Sequence, residues 1–244
     1  MILRRWPRKQ QRNRSMSQNT KSEVAQLFSK HGAVLVHCSG EVKGTGNDET
    51  NNHTPIGRIV NAFETRPDVC CSTVQRGDQL KRKNYYGPLG LIIDPVEFGN
   101  ITVSWPGDAG TSLDPSKKRI STRGFGCNTS ADVSRAITER GCPQLDEING
   151  DPYNEICCVN FKVVGLFADG LSLEFATDKW PGYVRHEIDE VGSILPELPL
   201  FLWATQEGCF LRLRFDPSMG RYDRNAEAVS KVPIGEVYDS CCLF

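Results

Sequence analysis

The stretch that decides the fold class reads EICCVNFKVVGLF and runs from Glu155 to Phe167. β-Branched and aromatic residues are enriched along it, so it is predicted to form one long strand. Asp169-Gly170 follows as a hairpin turn signal, and LSLEF at 171–175 is expected to return as the second strand of that hairpin. A local antiparallel pair of this kind favours an antiparallel or mixed sheet.

More strands and a few short helices are predicted on both sides of this stretch. Apolar runs and alternation indicate strands at 33–38, 69–74, 87–93, 101–105 and 210–215. Helical spacing and end signals indicate helices at 17–29, 54–63 and 131–140, the last capped by Ser130 and closed by Gly141. Strands outnumber helices, so we expect an α+β fold: a single domain over 17–244 with a mostly antiparallel or mixed sheet core.

Composition narrows the class of protein further. The chain has 244 residues, of which 39% are apolar, and a net charge of −1, which argues against nucleic-acid binding by charge alone. No apolar run reaches the roughly 18 residues of a membrane-spanning helix. We therefore expect no integral membrane association.

Residues 1–16 form a basic arm that is predicted to be disordered. Its charge comes from Arg4, Arg5, Arg8, Lys9, Arg12 and Arg14, with no acidic residue among them. The alternatives are an extension upstream of a start at Met16, a nucleic-acid or membrane contact, and a transit peptide. The arm lacks the apolar segment of a secretory signal, so a cytoplasmic protein is expected, with non-classical delivery into another cell as a toxin or effector left open.

Six of the ten cysteines stand in vicinal pairs, at 70–71, 157–158 and 241–242. Neighbouring residues on a strand point to opposite faces, so the members of such a pair are not expected to bond to each other. No CxxC spacing is present, and we expect reduced thiols, mostly small buried residues, and no metal site. The final CCLF matches a prenylation box, with an apolar tail as the alternative.

Cys38 invites a second interpretation, because an apolar strand followed by His-Cys is typical of cysteine phosphatases. That chemistry needs an arginine six positions after the cysteine to hold the phosphate in a planar fork, and Gly44 stands there. A Cys38-dependent hydrolase therefore remains the weaker alternative.

Three short motifs follow one another in a specific order: HCSG at 37–40, NYYG at 84–87 and YNEI at 153–156. With the helix near 54–63 between the first two, this order resembles the ADP-ribosyltransferases of the poly-ADP-ribose polymerase and diphtheria-toxin type. The related class with an arginine, a Ser-Thr-Ser motif and Glu-x-Glu fits less well, because position 153 is Tyr.

The resemblance implies NAD as a substrate and a protein or nucleic acid as the acceptor of ADP-ribose. It implies that His37 and Ser39 contact the ribose and the nicotinamide amide, that Tyr85 or Tyr86 stacks on the nicotinamide ring, and that Glu155 is the catalytic carboxylate. The alternative on the same scaffold is a binding or regulatory domain without turnover.

The chemistry suits these residue types. Cleavage of the nicotinamide–ribose bond passes through an oxocarbenium-like state, whose positive charge a carboxylate such as Glu155 stabilises. A strand-end histidine such as His37 is able to donate a hydrogen bond to a ribose hydroxyl. We therefore expect the strands of His37 and Glu155 to lie in one core, with the two side chains within about 15 Å of each other.

Overall fold

The described part of the chain folds into four α-helices and eleven strands. The computed structural model describes residues 21–38, 55–78, 89–107, 129–140, 154–169, 183–204, 208–225 and 227–240, with only the backbone at 55, 169 and 183–187. The helices are α1 (Glu23–Lys30), α2 (Pro55–Thr65), α3 (Ser130–Thr138) and α4 (Tyr183–Ile194). The strands are β1 (Ala33–Cys38), β2 (Val69–Gln75), β3 (Leu89–Asp94), β4 (Ile101–Trp105), β5 (Glu155–Cys158), β6 (Lys162–Asp169), β7 (Leu200–Ala204), β8 (Cys209–Leu213), β9 (Phe215–Asp216), β10 (Arg221–Tyr222) and β11 (Ser230–Pro233).

Nine of these strands form one sheet in the order β11-β8-β7-β6-β3-β1-β2-β5-β4, and β9 pairs with β10 separately. Every neighbouring pair in the large sheet is antiparallel except β6 and β7, which run parallel. The fold is a single α+β domain with a mixed, mostly antiparallel sheet, so the predicted class is confirmed.

Strands β1 and β3 lie at the centre of the sheet and are covered on both faces. Consecutive residues of a strand point to opposite faces, and Ala33 to Val36 are all buried, as is every residue of β3. Helix α1 packs against β1, α2 against β3, and α3 against β4 and β5. One apolar core joins β1, β3, β5, β6 and β7, so the two strand regions expected to share a core do so.

Local sequence signals place the second helix closely, whereas the first helix starts six residues later than predicted. The predicted helix at 17–29 begins only at Glu23, because the Ser22 Oγ accepts a hydrogen bond from the backbone N–H of Ala25 and acts as the N-cap. Helix α2 begins at Pro55, where proline costs no hydrogen bond, and runs two residues beyond the predicted end at Phe63.

Helix α3 starts and ends one to two residues away from its predicted bounds. Thr129 is its N-cap, since the Thr129 backbone is extended and its hydroxyl accepts from the N–H of Asp132 at 3.2 Å. Ser130, the predicted cap, is therefore the first helical residue. The helix ends at Thr138 rather than Arg140, whose side chain instead binds Asp78 across the end of β2.

The prediction of one long strand from Glu155 to Phe167 is wrong. The stretch divides into β5 and β6, joined by Val159 to Phe161, and Asn160 there has a φ of +51°. Asparagine tolerates this left-handed conformation better than most residues. The Arg66 side chain also donates to the carbonyl of Phe161 at 3.3 Å, which holds the turn in place.

This division requires strong curvature in the sheet. Strands β5 and β6 are adjacent in the chain, yet β2, β1 and β3 separate them in the sheet. Four strand spacings span about 19 Å in a flat sheet, whereas the chain from Cys158 to Lys162 reaches at most about 14 Å. The sheet therefore curls so that the end of β5 approaches the start of β6.

The remaining predicted strands are mostly confirmed, with a few corrected ends. Strand β4 has the predicted bounds, β2 extends to Gln75, and β3 begins at Leu89 in its described part and ends at Asp94. The strand predicted at 210–215 ends at Leu213, because the carbonyl of Arg214 pairs with the N–H of Asp223 and the chain turns into β9. The predicted return strand at 171–175, the arm at 1–16 and residues 241–244 lie outside the described residues, while Asp169, predicted as the first turn residue, is instead the last residue of β6 and pairs with Trp203 of β7.

None of the helices within the described ranges is long and apolar enough to cross a membrane.

Candidate functional site

Strand β2 is the centre of the candidate site, because β1 pairs with one of its edges and β5 with the other. On the β1 side, pairing ends at Val36 opposite Ser72, and on the β5 side Cys70 lies opposite Cys157. In an antiparallel sheet the backbone groups of alternate residues point to alternate edges. The carbonyl of Cys70 accordingly faces β1, where it accepts a hydrogen bond from His37.

Backbone pairing between β1 and β2 ends at Val36, and beyond it the side chain of His37 makes the next hydrogen bond to β2. Its Nδ1 lies 2.9 Å from the carbonyl oxygen of Cys70. A carbonyl only accepts, so Nδ1 carries the proton, and in the neutral ring Nε2 is an acceptor. Burial is the main cause that lowers the pKa of His37, and the nearby charge of Arg58 lowers it further.

This geometry corrects one detail of the expected chemistry. The sequence suggested that His37 donates a hydrogen bond to a ribose hydroxyl, but its Nδ1–H already donates to the carbonyl oxygen of Cys70. A neutral His37 with this tautomer would accept a hydrogen bond from the hydroxyl through Nε2 instead.

Glu155 opens β5 opposite Trp105 of β4 and is half-buried. The Cys157 Sγ lies 3.4 Å from the Glu155 Oε1, at the distance of a weak thiol–carboxylate hydrogen bond. The pKa of Cys157 is raised well above its usual value, first by its hydrogen bond to Cys70, then by burial, and also by the Glu155 charge. The Cys157 thiol therefore keeps its proton, and both the Cys70 sulfur and the Glu155 carboxylate lie within reach of it as acceptors.

The two faces of the β2–β5 ladder differ sharply. The inner face consists of Val69, Cys71, Ile156 and Cys158, all buried in the main core. The outer face consists of Cys70, Glu155 and Cys157, of which Cys70 is exposed, Glu155 half-buried and Cys157 buried beside Val103 and Trp105. The two vicinal pairs of this ladder, 70–71 and 157–158, thus each send one thiol to each face, as the strand alternation predicts.

Three potential ligand atoms meet on the outer face. One atom each from Cys70, Glu155 and Cys157 lie within 4.8 Å of one another, and the two Sγ atoms are 2.6 Å apart. Two thiolates and a carboxylate form a donor set that soft divalent metals accept. The CxxC spacing rule missed this grouping because its members come from two strands, with Cys70 and Cys157 87 positions apart.

Asn154, directly before Glu155, holds this end of β5 in place. Its Oδ1 accepts from the N–H and hydroxyl of Thr73 and from the hydroxyl of Ser72, at 2.8 to 3.1 Å. Its Nδ2 donates to the carbonyl of Ala136 in α3 at 2.9 Å. The Asn-Glu pair of the motif therefore combines a fully buried structural asparagine with a half-buried carboxylate.

Cys70 links the two main predicted site residues. His37 binds its carbonyl oxygen, and a carboxylate oxygen of Glu155 lies within 4.8 Å of its Sγ. Since the oxygen and sulfur of one cysteine are under about 5 Å apart, the His37 ring and the Glu155 carboxylate are separated by at most about 13 Å. The structure places them inside the expected 15 Å, but on opposite faces of the sheet, because Val36 pairs with Ser72 and the next residue, His37, therefore points away from the outer face that carries Cys70 and Glu155.

The other predicted residues are less informative. Ser39, Tyr85 and Tyr86 lie outside the described residues, so their expected contacts with NAD stay predictions. Cys38, the alternative nucleophile, ends β1 opposite Gly90 and is half-buried.

Comparisons with protein-family models, with curated proteins and with solved structures return no match, so any function assigned to this chain depends on the geometry around β2.

Proposed function

We propose that this chain is an NAD-dependent ADP-ribosyltransferase that modifies a protein or a nucleic acid. The observation that supports the proposal is the β1–β2–β5 arrangement, which brings His37 and Glu155 to opposite sides of Cys70.

Glu155 would act on the reacting ribose. Its carboxylate lies at the start of β5, directly after Asn154, whose side chain is hydrogen-bonded to β2 and α3. The carboxylate is therefore oriented before substrate binds. A negative charge in a partly dry site stabilises the positive charge that develops on the ribose as nicotinamide leaves. The Cys157 thiol next to it donates only a weak hydrogen bond and leaves the charge in place.

His37 would orient the ribose rather than move a proton. Its lowered pKa keeps the ring neutral at pH 7, and the bond to Cys70 sets the tautomer. Ser39, Tyr85 and Tyr86 complete the proposed NAD site, with a tyrosine ring against the nicotinamide.

The decisive experiment measures nicotinamide release from labelled NAD, because water serves as acceptor when the natural acceptor is unknown. Glu155→Gln is expected to lower the rate by about 10²–10³-fold while NAD affinity changes little, since the charge acts mainly in the transition state. Glu97→Gln is the matched control, because Glu97 is an exposed carboxylate just before β4. Full activity of a folded Glu155→Gln protein would remove Glu155 from the mechanism.

The same assay separates the alternatives. Release that survives Cys38→Ser supports the transferase, whereas tight NAD binding without release would indicate a binding or regulatory domain. A protein that neither binds nor cleaves NAD, and whose hydrolytic activity is lost when Cys38 is alkylated, would instead be a thiol hydrolase.

The proposal includes a cytoplasmic location, with entry into another cell as a toxin or effector left to experiment. It is supported by the six described cysteines, none of which is joined in a disulfide in the structure. Thiols persist in the reducing cytoplasm, where NAD is also available. Fractionation of cells that express the full chain tests this location.

A further inference from the structure

Cys70 and Cys157 occupy a position in the ladder that suits a disulfide. They lie directly opposite each other, and the Cys70 carbonyl faces away from β5 towards His37. The two cysteines therefore form a non-hydrogen-bonded pair, the close type in antiparallel sheets, with Cα atoms about 4.5 Å apart. Disulfides usually join Cα atoms 4.4–6.8 Å apart.

The side chains are also aimed at each other. Their Sγ atoms are 2.6 Å apart, although no disulfide joins the two cysteines in the structure. Cys70 is exposed, so a small oxidant has access to it, while Cys157 is 4% exposed. The other two thiols of this ladder, Cys71 and Cys158, are buried in the core.

We propose that Cys70 and Cys157 are a reversible redox pair, which a small disulfide such as glutathione disulfide oxidises to a cross-strand disulfide. This inference goes beyond the proposed transferase activity and does not depend on it.

The reaction takes place in two exchange steps. The Cys70 thiolate attacks one sulfur of glutathione disulfide, which breaks that S–S bond and releases one glutathione thiolate. Cys157 then loses its proton and attacks the Cys70 Sγ, which breaks the mixed disulfide and releases the second glutathione thiolate. The protein loses two electrons and two protons, and one glutathione disulfide becomes two molecules of glutathione.

A bound metal is the competing use of the same atoms. Two thiolates on one zinc ion, each about 2.3 Å from it in a tetrahedral site, lie roughly 3.8 Å apart. The observed 2.6 Å is nearer to the disulfide bond length of about 2.05 Å. The geometry therefore favours the disulfide, and zinc is included in the test.

The test equilibrates the full chain in buffers of rising glutathione disulfide content, blocks free thiols with N-ethylmaleimide and identifies linked tryptic peptides by mass spectrometry. A link is expected between the peptides covering 59–76 and 141–162, and dithiothreitol should remove it. Because both peptides contain vicinal cysteines, the link must persist in Cys71→Ala and Cys158→Ala and disappear in Cys70→Ser and Cys157→Ser. Fragment ions between the vicinal cysteines of the unchanged chain give the same assignment if a core variant does not fold.

Three results would overturn the proposal. In one, Cys70 and Cys157 stay open to N-ethylmaleimide after denaturation at every glutathione ratio. In another, the link joins other cysteines. In the third, the protein as purified already contains zinc, and zinc added alone binds in a 1:1 ratio that requires both thiols. Oxidation should also raise the melting temperature by about 10 °C, because the bond closes an 87-residue separation.

Discussion

The inner and outer faces of the β2–β5 ladder carry similar residues in different surroundings. The inner face places Cys71 and Cys158 in the core, where burial is the main cause that raises the pKa of Cys71. The outer face places Cys70 and Cys157 beside Glu155, with Cys70 open to solvent. Two cysteines therefore contribute packing on the inner face, whereas two others present reactive thiols on the outer face. The difference arises because only the inner face is covered by the core.

The largest expected effect of a single substitution on stability comes from the inner face. Ile156 has no exposed surface, so Ile156→Ala should lower the free energy of unfolding by about 2–5 kcal/mol through lost burial and a new cavity. Cys70→Ala on the outer face should change it by less than about 0.5 kcal/mol. Urea unfolding followed by circular dichroism measures both, and equal losses would contradict the division into faces.

Asn154→Ala should cost nearly as much, about 2–4 kcal/mol. The N–H of Thr73, the hydroxyl of Ser72 and the carbonyl of Ala136 would all lose a buried partner. Asn100→Ala is the matched control, since the partly buried Asn100 side chain donates to one carbonyl, that of Pro95. Comparable losses for the two variants in urea unfolding would show that Asn154 does not anchor β5.

The same substitution on both faces gives a sharper and smaller contrast. Cys158→Ser places a hydroxyl in the core and should cost about 1–3 kcal/mol. Cys70→Ser exposes the hydroxyl to water and should cost less than about 0.5 kcal/mol. Thermal unfolding under reducing conditions compares them, and a larger loss for Cys70→Ser would reverse the assignment of the faces.

The smallest expected effect concerns His37 and pH. Burial lowers its pKa in the folded state, so the unfolded chain binds more protons between that pKa and the usual 6.5. Stability contributed by neutral His37 is therefore present above pH 6.5 and is lost as the pH falls through this window, by at most about 1.4 kcal/mol per pH unit.

His37→Asn provides the comparison for that pH profile. The asparagine amide is able to donate to the Cys70 carbonyl in place of Nδ1, and it does not titrate. Unfolding free energies at pH 5.5 and 7.5 should differ less in His37→Asn than in the unchanged chain. Identical pH profiles would mean that His37 titrates equally in both states.

Most elements before residue 170, together with β8, were predictable because their signals are local, whereas α4, β7 and β9 to β11 were not among the predicted elements. Alternation and apolar runs placed β1 and β4, and the proline at the start of α2 placed that helix. The break between β5 and β6 was not predicted, because Val159 and Phe161 continue the strand-like composition of their neighbours and Asn160 is the one local signal of a turn. The turn there depends on Arg66, which reaches it from the far end of α2.

The candidate site was predictable only in part. His37 and Glu155 were selected through the ordered motifs HCSG and YNEI, one at the end of a predicted strand and the other at the start of one. Their common neighbour, Cys70, was not selected, because its role depends on which strands pair with β2. The roles of Ser39, Tyr85 and Tyr86 remain predictions.

The strand positions of Cys70-Cys71 and Cys157-Cys158 were enough to predict that each pair sends its two thiols to opposite faces, since that alternation follows from the geometry of one strand. Which face is covered, and which thiols meet, depends on how the strands and helices pack together. The inner face shares its core with Val133, Ala136 and Ile137 of α3, and the register of β2 on β5 sets Cys70 against Cys157. Pairing and coverage join segments many residues apart, and no local pattern in the chain encodes them.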